Sequence, residues 1–117
     1  AVDPQRGMLR MSMEVDKNVH QPMGFLHGGA SAALAESTGS ASSALLLEEP
    51  GKYSILGTHL NCHHLRSVES GTIYATALII HQGNSTHLWE IKITDEQEQL
   101  ISHCHLTNRI IPKRGSS

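Results

Sequence analysis

The stretch that decides the fold is HQPMGFLHGGASAALAESTGSASSALLL, which occupies residues 20–47. Between residues 18 and 47 the only formally charged side chain is Glu36, and most of the residues around it are glycine, alanine or serine. A segment of such small residues can lie deep in a fold or against a second subunit. An ionised carboxylate is costly to bury without a partner or a function, although most glutamates are simply exposed helix acids. The isolation of Glu36 therefore favours an acid with a chemical role.

The same stretch has the spacing of a helix, and the segments around it have the spacing of strands. From Gly28 to Leu47 apolar and small residues recur every three or four positions, and no proline interrupts them. Gly39 lies inside this helix at a cost of about 1 kcal/mol relative to alanine, which is tolerable where another backbone packs closely. Period-two alternation and β-branched runs predict strands at residues 8–15, 53–66, 71–81, 86–94 and 100–111.

One strand, one long helix and four further strands predict an α+β fold in which a curved antiparallel sheet wraps the helix. The length of 117 residues suits a single domain over residues 1–117, with flexible ends at 1–7 and 112–117. The net charge of −2 argues against a nucleic-acid or membrane-surface partner, which would need a basic stripe. Cys62 and Cys104 fall in predicted strands, and we expect reduced, buried thiols, as in a cytoplasmic protein.

The residues from Gln21 to Ser40 carry a family resemblance. The chain resembles hotdog-fold acyl-CoA thioesterases of the hydroxybenzoyl-CoA and phenylacetate-pathway type. The matching positions are Gln21-Pro22-Met23-Gly24, His27-Gly28-Gly29, Glu36 and Ser40. Weaker matches continue through residues 61–66 and 83–86, so the resemblance covers roughly residues 8–111. It implies a hotdog fold and hydrolysis of an aromatic or short- to medium-chain acyl-CoA.

The chemistry of thioester hydrolysis fits these residue types. Glycines at a helix start let a substrate approach the backbone, and unpaired amides there, aided by the helix dipole, can hold an oxyanion. The loop from His27 to Gly29 therefore suits polarisation of the thioester carbonyl. Glu36 is expected to act either as a nucleophile or as a general base on water, and Ser40, one turn later, to hydrogen-bond the carboxylate or the water.

The resemblance also implies a site shared between subunits. In the family the loop glutamine and glycine come from one subunit, and the acid and hydroxyl come from its dimer partner. Gln21 and Gly28 would then face Glu36 and Ser40 across an interface, with Gln21 holding the thioester oxygen or the polar end of the acyl group. His64 matches a position near the thioester. Family members are commonly tetramers made of two dimers.

The resemblance further places the CoA phosphates near Arg66 and the turn at Ser85 and Thr86. A guanidinium and turn hydroxyls are good phosphate partners. We expect no cofactor, since CoA is part of the substrate.

Nine histidines raise the question of a metal site. His59, His63 and His64, with Cys62 among them, and the pair His103 and His105 have ligand spacing on strands. The sequence shows no CxxC or HExxH motif and no acid among them, so we expect no dedicated metal site.

Two alternative functions remain open at this point. A hotdog hydroxyacyl-thioester dehydratase also uses a loop histidine and a helix acid, which His20 or His27 with Glu36 superficially fits. The Gly-Gly after His27 suits the thioesterases better. A non-catalytic acyl-CoA-binding module is disfavoured by Glu36, because a binding pocket has no reason to hold an unpaired carboxylate beside a thioester.

Overall fold

The structure is a computed structural model that describes residues 2–3, 8–15 and 28–113, with side chains described for 9–15 and 30–113. The elements are β1 (Val2–Asp3), β2 (Met8–Val15), α1 (Gly28–Leu46), β3 (Tyr53–His64), β4 (Gly71–Gln82), β5 (Thr86–Thr94) and β6 (Leu100–Pro112). A 3-10 turn at Pro50–Lys52 leads into β3.

The helix and all five predicted strands are confirmed, and most boundaries agree within two residues. The exception is β1, because residues 1–7 were predicted as a flexible end, whereas Val2 and Asp3 pair with Leu9 and Met8. β3 ends at His64, two residues earlier than predicted. It ends there because the next two amides, of Leu65 and Arg66, both donate to the carbonyl oxygen of Ile101.

The strands form one antiparallel sheet in the order β1-β2-β4-β5-β6-β3. β3 is therefore an edge strand of twelve residues, and among the described strands it pairs only with β6. Its ladder is irregular between Gly57 and His59, where a bulge shifts the register. Within the described ranges, no helix combines the length and apolar character needed to span a bilayer.

The core lies between α1 and one face of the sheet. The helix contacts all five long strands, and alternate residues of the central strands are buried beneath it. Trp89, Ile91 and Ile93 of β5 are fully buried, as are Cys104 and Leu106 of β6.

Gly39 marks the closest approach of the helix to the sheet. A methyl group at this position would overlap the end of the Leu106 side chain and lie 3.2 Å from Ile91 Cδ1. The expectation of close packing at Gly39 is thus met, although by two core side chains rather than by a backbone. The cost of glycine in a helix is offset here by the depth at which the helix can sit.

A buried polar network anchors the helix one turn after Gly39. Ser43 Oγ lies 2.8 Å from His87 Nδ1, 2.8 Å from Trp89 Nε1 and 3.0 Å from Asn108 Nδ2. The indole and the amide nitrogen are donors only, so they occupy the lone pairs of the hydroxyl. Ser43 must then donate its own proton to His87 Nδ1, which leaves the histidine proton on Nε2. His87 is therefore a neutral imidazole, and burial lowers its pKa from the ordinary value.

We predict that Gly39→Val lowers the free energy of unfolding by about 1–3 kcal/mol, the usual cost of overpacking a filled core. The added methyl groups would force Leu106 out of its position. Chemical denaturation measures the change. Gly51→Val is the control, because nothing lies within 4 Å of a methyl group there and exposed sites usually change stability by less than about 0.5 kcal/mol. Equal stability of the two variants would contradict the packing described.

We predict that His87 makes the fold less stable in acid. Its pKa is lowered in the folded chain, so below the ordinary histidine pKa of about 6.5 the unfolded chain binds a proton that the folded chain resists. The free energy of unfolding should therefore fall as the pH drops from 7.5 to 5.5, and it should fall less in His87→Gln. Denaturant titrations across this range test the difference, and equal pH slopes in the two proteins would rule it out.

Candidate functional site

Glu36 lies in the third turn of α1, and its carboxylate reaches the edge strand β3. A methyl group at Gly57 would lie 3.5 Å from Glu36 Oε2, so the carboxylate sits beside the Gly57 backbone, next to the β3 bulge. The Glu36 side chain is exposed in the single chain. The acid is therefore open to water and adjacent to the edge at which another strand could pair.

Asn108 of β6 connects the helix to the strand position beside the Glu36 carboxylate. It lies opposite Gly57 in the β3–β6 ladder and is fully buried. Its Nδ2 donates to the carbonyl of Gly39 at 3.3 Å and to Ser43 Oγ at 3.0 Å, which turns Oδ1 towards Gly57. That oxygen is buried and has no hydrogen-bond partner among the described residues. Sequence reasoning missed Asn108, although an asparagine between Leu106 and Ile110 on the inward face of a strand was a usable signal.

Ser40 lies one turn after Glu36 on the same side of α1 and is half-buried. Its role beside Glu36 stays a prediction. Gln21 and His27, the two loop residues predicted to face this acid, lie outside the described residues.

A cleft opens at the N-terminal end of the helix, near the point where β3 ends. It is lined by Ser31, His64, Leu65, Arg66, Ser67, Ile101 and Ser102. His64 Nδ1 lies 2.8 Å from Ser102 Oγ, which fixes the imidazole ring. The helix begins at Gly28 and Gly29, so the amides of its first turn have no acceptor within the helix and carry the positive end of its dipole. This end of the fold offers donors and a cation to a negatively charged group.

Within one chain, these two parts of the predicted site are far apart. Gly57 and His64 are seven residues apart on β3, which is about 23 Å at the rise of a strand. The single chain therefore does not bring Glu36 together with His64.

The three residues predicted to bind CoA are separated in the same way. Arg66 donates its amide to Ile101 O, whereas Ser85 O accepts from the amide of Ile110. These two points on β6 are nine residues apart, roughly 30 Å along the strand. Thr86 begins β5 next to Ser85. Arg66 thus lies at one end of the sheet, and Ser85 and Thr86 lie at the other.

The histidine pair His103 and His105 has an acid beside it that the sequence pattern did not reveal. Glu90 of β5 is in register with His105, and Glu90 Oε2 lies 2.9 Å from His103 Nε2. This hydrogen bond holds the pKa of Glu90 below its usual range, with a smaller contribution from the charge of Lys92. The acid was missed because it comes from the neighbouring strand, ten or more positions away in sequence.

Both cysteines are free, and the predicted burial holds for Cys104 alone. They lie opposite each other in the β3–β6 ladder, with Cys104 buried and Cys62 half-buried. Burial and the neighbouring Cys62 raise the pKa of the Cys104 thiol, so it is an unreactive core side chain.

Comparisons with known proteins agree with one another. The family model described as the thioesterase superfamily matches residues 23–102. The chain is 42% identical to the 1,4-dihydroxy-2-naphthoyl-CoA hydrolase of Listeria monocytogenes, over 97% of this chain and 90% of that protein. It is 40% identical to the proofreading thioesterase EntH of Klebsiella pneumoniae, over 92% and 77%. A crystal structure of a mutant of the thioesterase enzyme SAV0944 from Staphylococcus aureus has a TM-score of 0.87 at 45% identity, covering 91% of this chain and 87% of that one.

Proposed function

This chain belongs to the thioesterase superfamily, and we propose from this premise that it hydrolyses an aromatic or short- to medium-chain acyl-CoA to the free acid and CoA. The membership makes the chain a thioester hydrolase, and its architecture is the hotdog fold that the sequence predicted. The observation that carries the proposal is the exposed Glu36 carboxylate beside Gly57 of the edge strand β3. The name of the Listeria relative supports a CoA thioester with an aromatic acyl group.

Glu36 is the residue that we propose drives the hydrolysis. As a general base it would take a proton from water while the water oxygen attacks the thioester carbonyl carbon. As a nucleophile it would form an acyl-enzyme anhydride that water then cleaves. In both routes the carbon–sulfur bond breaks and the sulfur leaves as the thiol of CoA after taking up a proton. Ser40 would orient the carboxylate or the water.

We propose that a second copy of the chain completes the site by pairing along β3. In the part of the chain that the structure describes, β3 is a twelve-residue edge strand with β6 as its sole partner, and such an edge offers a row of backbone donors and acceptors. Two copies related by a twofold axis would pair antiparallel, so the end of one β3 would approach the start of the other. His64 and the helix start of the partner subunit would then move towards Glu36. This pairing explains how the two parts of the site can meet although Gly57 and His64 are about 23 Å apart along β3 of one chain.

In this arrangement Gln21, His27, Gly28 and Gly29 of one subunit polarise the thioester carbonyl, and Glu36 and Ser40 of the other attack it. The amides of the first helical turn are donors of the kind that stabilises a developing oxyanion. His64 would position the water or the substrate from the same side as the helix start.

The same pairing supports a composite site for CoA. The Ser85 turn is tied to Ile110, which pairs with Ile55 near the start of β3, whereas Arg66 follows the end of β3. Antiparallel pairing would therefore bring Arg66 of one subunit towards Ser85 and Thr86 of the other. We propose that these three residues bind the phosphates of CoA.

We further propose that two such dimers form a tetramer, and that the protein acts in the cytoplasm, where its free thiols would stay reduced. Exposed apolar side chains on the strands, at Leu56, Leu78 and Ile80, supply surface that further assembly would bury. The proposed hydrolysis uses no metal and no cofactor, because a carboxylate and backbone amides suffice for it.

We predict that Glu36→Gln lowers kcat by a factor of about 10² to 10⁴, the usual contribution of a positioned acid or base. KM should change little, because the amide keeps the shape of the side chain. The assay follows release of the CoA thiol from a panel of aryl- and alkyl-CoA substrates, with EDTA present throughout. Glu14→Gln is the control, because Glu14 is also exposed but lies on β2. A Glu36→Gln enzyme with wild-type kcat would overturn the assignment of Glu36.

The same panel, followed by a hydration assay and a binding measurement, separates the alternative functions. A folded wild-type protein that cleaves none of the thioesters is not the proposed hydrolase. Hydration of a crotonyl thioester would then identify a dehydratase, and binding without turnover would identify an acyl-CoA-binding module.

A further inference from the structure

The outer face of the sheet carries a second group of reactive side chains, Glu90 of β5 with His103 and His105 of β6. Glu90 lies between Trp89 and Ile91, which are fully buried beneath α1, and the two histidines flank Cys104, which is also buried. Because side chains alternate along a strand, the three point away from the helix. This cluster is thus on the opposite side of the sheet from α1, the helix that carries Glu36.

The three side chains lie close enough to share one ion. One ligand atom from each of Glu90, His103 and His105 can be chosen so that all three lie within 4.8 Å of one another. Glu90 Oε2 is already 2.9 Å from His103 Nε2, and the two imidazole centroids are 5.0 Å apart. Metal–ligand bonds of about 2.0–2.2 Å in a tetrahedral site put ligand atoms roughly 3.3 Å apart. The ligand atoms are at most 4.8 Å apart, so small side-chain rotations would be enough to bring all three to one ion.

The backbone holds the cluster in place. Glu90 pairs with His105, and His103 pairs with Lys92, in a ladder that runs without a register shift from Thr86 to Ile93. All three side chains are half-buried, so their neighbours restrict their rotamers while water still reaches them. An ion could enter from solvent without any opening of the fold.

We propose that Glu90, His103 and His105 bind a divalent transition-metal ion, with Zn²⁺ as the best match and water in the remaining position. Two imidazoles and one carboxylate are ligands that Zn²⁺ favours, whereas Mg²⁺ and Ca²⁺ prefer oxygen alone. An ordinary ion pair would need only Glu90 and His103. The ring of His105 lies beside that of His103. His105 is not needed for the ion pair, but a bound metal ion would use it as a third ligand.

The bound ion would act on stability rather than on thioester hydrolysis. It would cross-link β5 and β6 on the outer face, and a ligand that binds only the folded chain stabilises it by mass action. The proposal does not depend on the proposed function, because neither Glu36 nor any residue assigned to the thioester belongs to the cluster.

The test uses the full chain, stripped with EDTA and dialysed, and titrated with ZnCl₂ in a calorimeter. We expect one Zn²⁺ per chain and a rise in the thermal unfolding midpoint when Zn²⁺ is present. His105→Ala is the decisive variant, because it leaves the hydrogen bond between Glu90 and His103 intact while removing a ligand. It should weaken Zn²⁺ binding at least tenfold, as should Glu90→Gln.

His59→Ala is the matched control, because His59 is an exposed histidine on β3 outside the cluster. It should bind Zn²⁺ as the wild type does. Cobalt(II) gives a second readout, since visible absorption bands of a four-coordinate ion should appear with the wild type and be lost in His105→Ala. Absence of Zn²⁺ binding by the wild type, or equal binding by wild type and His105→Ala, would overturn the proposal.

Discussion

The closeness of α1 to the sheet at Gly39 is the constraint on which the rest of the fold depends. The side chains of Leu106 and Ile91 occupy the space that any larger residue would need, so the depth of the helix is set at this point. One turn later the hydroxyl of Ser43 has its full set of hydrogen bonds, to His87, Trp89 and Asn108. Packing fixes how deep the helix lies, and the three hydrogen bonds to Ser43 fix its position along the sheet, because breaking any of them would leave a buried polar group unpaired.

Asn108 carries this positioning from the helix to the edge strand. Its amide nitrogen binds Gly39 and Ser43 of the helix, and its oxygen faces Gly57 of β3. The Glu36 carboxylate lies against the same glycine. The acid therefore stands at the edge of the sheet, where β3 has no second partner strand among the described residues, and such an edge is a poor place for a structural ion pair. It is a good place for a group that must meet a substrate held by another subunit.

Much of the fold could be predicted from the sequence because its signals are local. The period-two alternation at residues 86–94 fixes which side chains are buried, and the structure follows it residue by residue. Asn108 and Glu90 were missed because their roles depend on contacts between elements that are distant in sequence, with Ser43 of the helix in one case and His103 of the neighbouring strand in the other. The separation of Arg66 from Ser85 could not be predicted either, since it depends on which strand ends meet in the sheet. The loop residues Gln21 and His27 stay predictions.

Restoration of activity by mixing two inactive variants is the most direct test of a site shared across β3. Gln21→Ala and Glu36→Gln chains are expressed separately, unfolded, mixed in equal amounts and refolded together, and thioester hydrolysis is measured. In a hybrid dimer with shared sites, one site carries both changes and the other carries neither. Random pairing makes half of the dimers hybrids, so the mixture should recover about one quarter of wild-type turnover. If each site lies within a single chain, every site keeps one defect, and a mixture no more active than its separate components would contradict the account.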